Sequence, residues 1–179
     1  MSNAEKMLEI KDLSVIYKTD LETVYAVNGV TFSLEKGATL GLVGETGAGK
    51  TTLALTLMRL LPERTGKVTS GSITFEGEDI INLPEAQMCK IRGDKIAMIF
   101  QDPMTSLNPV LTVGEQIAEA LHVHNEAGRS KEEIDKRVDE TLTMVGIPPA
   151  RKNEYPHQFS GGMRQRVVIA IALSCEPDL

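Results

Sequence analysis

A chain of 179 residues, 41% of them apolar and 25% charged, has enough material to bury a core of its own. Its net charge of −6, with lysines and arginines scattered, argues against a nucleic-acid surface, which would show a basic stripe. No apolar run approaches the roughly 18 residues that span a bilayer, and no basic stretch followed by an apolar segment marks a signal peptide at the start.

Ser2-Asn3-Ala4 looks like the remnant of a cleavable tag, so residues 1–4 are set aside. Leu8, Ile10, Val15 and Tyr17 alternate, as do Val30, Phe32 and Leu34, and predict β-structure in the first third. Gly37 marks a turn. Residues 38–43 form a short apolar run of the kind found in buried strands. A helix is expected over 50–61, stopped by Pro62. Residues 71–75 read as a further strand, with 76–79 as its turn, and 95–100 as a second buried strand.

Pro103, Asn108 and Pro109 then punctuate a loop, and the pattern becomes helical. Ser130 and Glu133 have capping-box spacing, and Ile134, Val138, Leu142 and Val145 form one apolar stripe. Glu132 and Lys136 are spaced to pair on the outer face, and Gly146 and Pro148 end the helix. Residues 153–162 read as a polar loop, and 167–173 as a helix that is apolar all round and so buried. Cys89 and Cys175 lack CxxC spacing and read as reduced thiols; His122 and His124 have no companion ligands for a metal site.

Gly44-Glu45-Thr46-Gly47-Ala48-Gly49-Lys50-Thr51 fits GxxxxGK(S/T) at every fixed position, between an apolar run and a helix. The glycines permit torsions that turn successive N–H groups inward as an anion nest, and the helix behind aims its positive end at the same point. Lys50 is placed to reach β- and γ-phosphates, and the Thr51 hydroxyl offers Mg²⁺ an oxygen ligand. Thr52 continues the site. This pattern alone specifies a phosphate-loop NTPase, a class that includes kinases and GTPases. More than a hundred residues on, Phe159-Ser160-Gly161-Gly162-Met163-Arg164-Gln165-Arg166 builds a second helix start, with Ser160 as cap and two glycines allowing close approach.

Together the two segments resemble the ABC ATPases, whose signature is LSGGQ; Phe159 stands for its Leu and Met163 for its Gln. The resemblance covers nearly the whole chain. It implies an α/β phosphate-loop fold with an N-terminal antiparallel β part and a helical subdomain. The division it implies is a nucleotide-binding core over 5–102, a helical subdomain over 103–160, and a signature helix over 161–179 returning to the core. Tyr17 lies where the family stacks adenine, and Gln101 where it has a glutamine that senses metal and water. The family's ligands are ATP and Mg²⁺, and two subunits close head to tail, so that Ser160, Gly161 and Gly162 of one would clamp the ATP held by the other.

The segments Gln101-Asp102-Pro103-Met104-Thr105-Ser106-Leu107-Asn108-Pro109 and Tyr155-Pro156-His157-Gln158, the latter leading into Phe159, resemble the branch that imports dipeptides, oligopeptides or nickel. That branch implies transmembrane permease subunits, a second ATPase subunit and, indirectly, an extracytoplasmic binding protein. It also implies residence at the cytoplasmic face of the inner membrane. A nickel importer and a soluble, non-transport ABC ATPase are the alternatives; the second is disfavoured because 109–155 shows no sustained heptads. No Walker B strand, with its Asp and Glu, occurs among these residues. A truncated chain with an incomplete central sheet and slow hydrolysis is therefore expected.

Overall fold

The computed structural model describes residues 5–102, 106–125 and 128–179. Residues 1–4, and Pro103, Met104 and Thr105 of the proline-punctuated loop, lie outside them. The chain forms two compact units, 1–88 and 89–179.

In the first unit, β1 (Lys6–Lys18), β2 (Thr23–Glu35), β3 (Gly66–Phe75) and β4 (Glu78–Asp79) make an antiparallel sheet of order β2-β1-β3-β4. The expected alternation is present, with one shift of phase. Leu8 and Ile10 are buried, then Leu13 and Val15, because the register slips at Asp12, whose φ is 45°. Gly71 crosses this bulge with φ 90°; a Cβ there would lie 2.4 Å from the Lys11 carbonyl oxygen, so no other residue fits without movement. The buried side chains of this unit include Leu8, Ile10, Leu13, Val15, Ile73, Phe75 and Ile80, with Val27 and Leu34 of β2. The turn after β3 is two residues, Glu76 (φ 49°) and Gly77 (φ 86°); Glu78 and Asp79, expected in it, pair with Phe75 and Thr74.

Helix α1 spans Lys50–Leu57, ending four residues before the expected Leu61. Pro62 is not what stops it. Arg59 takes a left-handed conformation (φ 51°), the Leu60 N–H donates to Leu55 O at 2.8 Å and the Arg59 N–H to Thr56 O at 3.0 Å. This is a Schellman closure with arginine in the usual glycine position. Residues 38–43 form no strand, and Leu40, Leu42 and Val43 are exposed. A strand exists only as part of a ladder, and among the described residues none pairs with this run.

In the second unit the run 95–100 is likewise no strand. Ile96 is buried and bridges to Arg92, whereas Ile99 and Phe100 are half exposed. One rung of parallel ladder does form here: Leu179 N–H donates to Lys95 O at 3.1 Å and Ala97 N–H to Leu179 O at 2.8 Å. Helix α2 (Glu85–Ile91) spans the boundary between the units. After it come α3 (Val113–Val123), α4 (Lys131–Met144) and α5 (Gly161–Leu173), with 3₁₀ turns at Pro149–Arg151 and Pro156–Gln158. Their core joins Val113, Ile117 and Leu121 of α3 to Ile134, Val138 and Leu142 of α4 and Val167 and Ala170 of α5. The α4 stripe is as expected, with Val145 packed at its edge. The outer ion pair of α4 differs: Lys136 reaches Glu140 at 3.7 Å rather than Glu132, the next turn being equally close. Nor is α5 buried all round: Val167 and Ala170 are fully covered, but Leu173 is 36% exposed, because the other helices cover one side of it.

Both α3 and α4 begin with full capping boxes, Thr112 with Glu115 and Ser130 with Glu133. The Thr112 backbone N–H and hydroxyl both donate to Glu115 Oε2, at 2.7 and 2.8 Å, and hold that carboxyl below its ordinary range. A depressed folded-state pKa stabilises the fold above the ordinary carboxylate range and is lost as pH falls through the lowered value. The melting midpoint should therefore fall on acidification, and the fall should be smaller in Glu115→Gln, as thermal melts from pH 7 to pH 3 would show.

Candidate functional site

The phosphate loop joins residues 38–43 to α1. Gly49 caps α1 in the left-handed region with φ 83°, and Gly47 has φ 86°. At Gly49 the backbone lies hard against β2: a Cβ would come 2.2 Å from Ala26 O. No side chain caps α1 and no acidic residue lies in its first turn, so the first amides of the helix are left for an anion. The Lys50 ammonium folds back over the loop and donates to Gly44 O and Glu45 O, both at 2.7 Å. The Ala48 N–H closes onto Glu45 O at 3.1 Å. Gly44, Glu45, Thr46, Gly47 and Ala48 are all exposed, as is Thr51, whose hydroxyl remains available to a hard cation. A cavity of about 350 Å³ adjoins the loop. Its lining joins the apolar Val27, Val30, Leu42, Val43 and Leu53 to Asn28 and to Ala48, Gly49 and Lys50 of the loop itself.

Tyr17, near the end of β1, donates its hydroxyl to Thr52 Oγ1 at 3.3 Å. Thr52 is buried on α1, so the bond fastens the aromatic ring beside the first turn of the phosphate-loop helix. Sequence spacing, 35 residues apart, does not reveal that pairing. Tyr17, Thr52 and the loop are thus brought together within the first unit.

Gln101, Ser160, Gly161 and Gly162 belong to the second unit. Gln101 is exposed, following Phe100 out of the extended run. Ser160 caps α5, its Oγ accepting from the Met163 N–H at 3.4 Å. Gly161 and Gly162 are exposed, and a Cβ on either would meet nothing within 4 Å. The fold therefore has no steric need of them.

In the sequence Arg151 and Glu154 are simply an Arg and a Glu three apart, which carries no signal. In the structure the Arg151 guanidinium forks onto Glu154, with both carboxylate oxygens 3.0 Å from Nε. The pair holds the Glu154 carboxyl below its usual range and raises Arg151 further. The same guanidinium lies 4.3 Å from the centroid of the Phe159 ring and 3.3 Å from Met163 Sδ. Both departures from the LSGGQ pattern thus meet one side chain. Among the described residues no cluster of three His, Cys, Asp or Glu side chains could hold a metal ion, and no helix is long and apolar enough to cross a membrane. Neither Cys89 nor Cys175 is in a disulfide; burial pushes the Cys175 thiol up.

The profile of the ABC transporter family matches residues 27–179. The whole chain is 50% identical, over 181 aligned residues, to half of the oligopeptide transport ATP-binding protein OppD of Bacillus subtilis (strain 168). It is 51% identical over 98% of its length to the dipeptide transport ATP-binding protein DppD of the same organism, covering 52% of that protein. The same 98% is 51% identical to OppD of Escherichia coli (strain K12), again covering 52%. The chain therefore spans about half the length of the curated relatives it matches. Among solved structures, it superimposes on the dimeric post-hydrolysis state of the ATP-binding cassette MJ0796, bound to ADP and Pi, with a TM-score of 0.83. Identity there is 32%, over 96% of this chain and 71% of the other. For cbiO1 of Clostridium perfringens, part of the ABC transporter complex cbiONQ, the TM-score is 0.76 at 26% identity, over 97% of this chain and 63% of that one. With a phosphate loop at Lys50 and a Ser-Gly-Gly helix start at Ser160, the chain belongs to the ABC transporter family and has the α/β fold of its ATP-binding cassettes.

Proposed function

We propose that the chain is the nucleotide-binding part of an ATPase that energises import of dipeptides or oligopeptides. The observation that carries this is the Lys50 loop, in which an ammonium group, left-handed glycines and an uncapped helix start converge on one exposed point. An ATP triphosphate would exchange for the two carbonyls that Lys50 now contacts and would take up the free amides of α1. Glu45, Thr46, Gly47 and Ala48 supply loop backbone, and Thr51 and Thr52 the first turn. Tyr17 stacks on adenine, its ring held by Thr52. Thr51 would offer Mg²⁺ an oxygen ligand beside the phosphates, where the ion would neutralise charge.

Ser160, Gly161 and Gly162 clamp the ATP of a second subunit. Glycine inside a helix costs roughly 0.5–1 kcal/mol relative to alanine, and nothing in the chain's own packing repays that at Gly161 or Gly162. An exposed helix start without side chains at its first two positions suits close approach from outside. The dimeric cassettes among the similar structures support that reading. In it residues 5–102 act as core, 103–160 as the helical part that answers to permease subunits, and 161–179 as the signature helix. The protein works at the cytoplasmic face of the inner membrane, fed by an extracytoplasmic binding protein. The peptide transport relatives favour peptides over nickel as cargo.

Titration of the chain with MgADP by calorimetry tests the core of this. Charge-assisted hydrogen bonds contribute about 1.5–3 kcal/mol, so Lys50→Ala should weaken binding roughly 10- to 150-fold. Equal affinity in the two proteins would sink the proposal.

A further inference from the structure

The three long helices of the second unit start in two different ways. In α3 and α4 the third helical residue is a glutamate, Glu115 or Glu133, that reaches back to close the cap. In α5 that position is Met163, and the remaining cap bond, from its N–H to Ser160 Oγ, is long at 3.4 Å. A glutamate there would set a negative charge beside any incoming phosphate. Its absence leaves the start of α5 open to an anion but poorly held by its own cap.

What holds it comes from behind. Arg151 touches Phe159, the residue before Ser160, through its guanidinium face, and Met163, three residues after Ser160, through Nη1. Nη2 donates to Gln158 O at 3.2 Å. Phe159 is itself only 3% exposed. The base of this clamp is rigid. Glu154 O accepts from Val113 N–H at 2.9 Å and Lys152 O from Gly114 N–H at 2.7 Å, so the first turn of α3 docks on the same segment. Lys152 in turn pairs with Asp135 and Asp139 of α4.

We propose that Arg151 is a positioning residue for the Ser160-Gly161-Gly162 anion cradle: by gripping Phe159 and Met163 it sets the direction in which the α5 start points. This rests on the reading of Ser160 as a clamp for nucleotide held by a second subunit. It also explains the two changes from LSGGQ, since an aromatic ring and a thioether are what a guanidinium plane can hold. The cradle then uses the Ser160 hydroxyl and backbone amides, while Met163 faces away from the ligand.

Arg151→Lys is the informative variant, because it keeps a charge for Glu154 but lacks the planar fork. Amide exchange by NMR on this chain should show Met163 and Arg164, whose N–H groups donate to Ser160 Oγ and O, exchanging about tenfold faster, with Val167 to Ala170 unchanged. ATP-driven self-association, followed by sedimentation, should weaken by about tenfold, while affinity for MgADP stays within about twofold and the melting temperature holds. Unaltered exchange and association in Arg151→Lys would overturn the proposal and leave the nucleotide reading standing. An equal loss of MgADP affinity or of melting temperature would overturn it too, by making Arg151 a general structural residue. If the unmodified chain binds MgADP through Lys50 yet never associates with ATP, the clamp reading falls, and this proposal with it.

Discussion

Gly49→Ala should destabilise the first unit by about 2–5 kcal/mol and remove measurable nucleotide binding along with it. Two costs add. A left-handed conformation, φ 83° at this position, costs an L-residue about 1–2 kcal/mol. The new methyl would also sit 2.2 Å from Ala26 O on β2, and such overpacking costs about 1–3 kcal/mol more. The clash is with backbone, which cannot swing aside as a flexible side chain would. Relief requires α1 to lift from β2, and that moves Lys50 and the amides behind it. Gly47→Ala is the built-in comparison. Its φ of 86° is as demanding, but its methyl would meet nothing within 4 Å. It should lose only the torsional part, about 1–2 kcal/mol. Guanidinium denaturation of the two variants separates strain from collision; equal losses would refute the close packing of Gly49 on β2.

Leu142→Ala should cost the second unit about 2–5 kcal/mol. Leu142 is wholly buried in the core that α3, α4 and α5 share. Its removal takes away apolar burial and leaves a cavity that three helices, tied by caps and by the Gly146 closure, cannot easily collapse. Val110→Ala, at a residue 74% exposed, should fall within about 0.5 kcal/mol of the unmodified chain. Urea titration followed by circular dichroism would check both, and a Leu142→Ala loss below about 1 kcal/mol would contradict the packing described.

Much of the second unit was legible in advance. The Ser130 and Glu133 box, the α4 stripe and the Gly146 stop are local devices, each set within a turn or two of chain, and each is found in place. The Thr112 and Glu115 box carries the same signal, three residues apart, and could have been read the same way. The alternation of β1 was legible too, but not the bulge at Asp12, which only the crossing of Gly71 explains. The end of α1 falls at Leu57 rather than the expected Leu61 because a left-handed Arg59 gives no sequence warning.

By itself the sequence determined the phosphate loop, the Ser160 helix start, the caps and the apolar faces, because these depend on torsions and contacts within a few residues. The tertiary structure alone decided that 38–43 and 97–100 stay out of any strand, that Thr52 holds Tyr17, and that Arg151 grips both sides of Ser160. The reason is physical. An apolar run becomes a strand only when another segment completes its ladder, and a side chain finds a distant partner only when packing brings the two together.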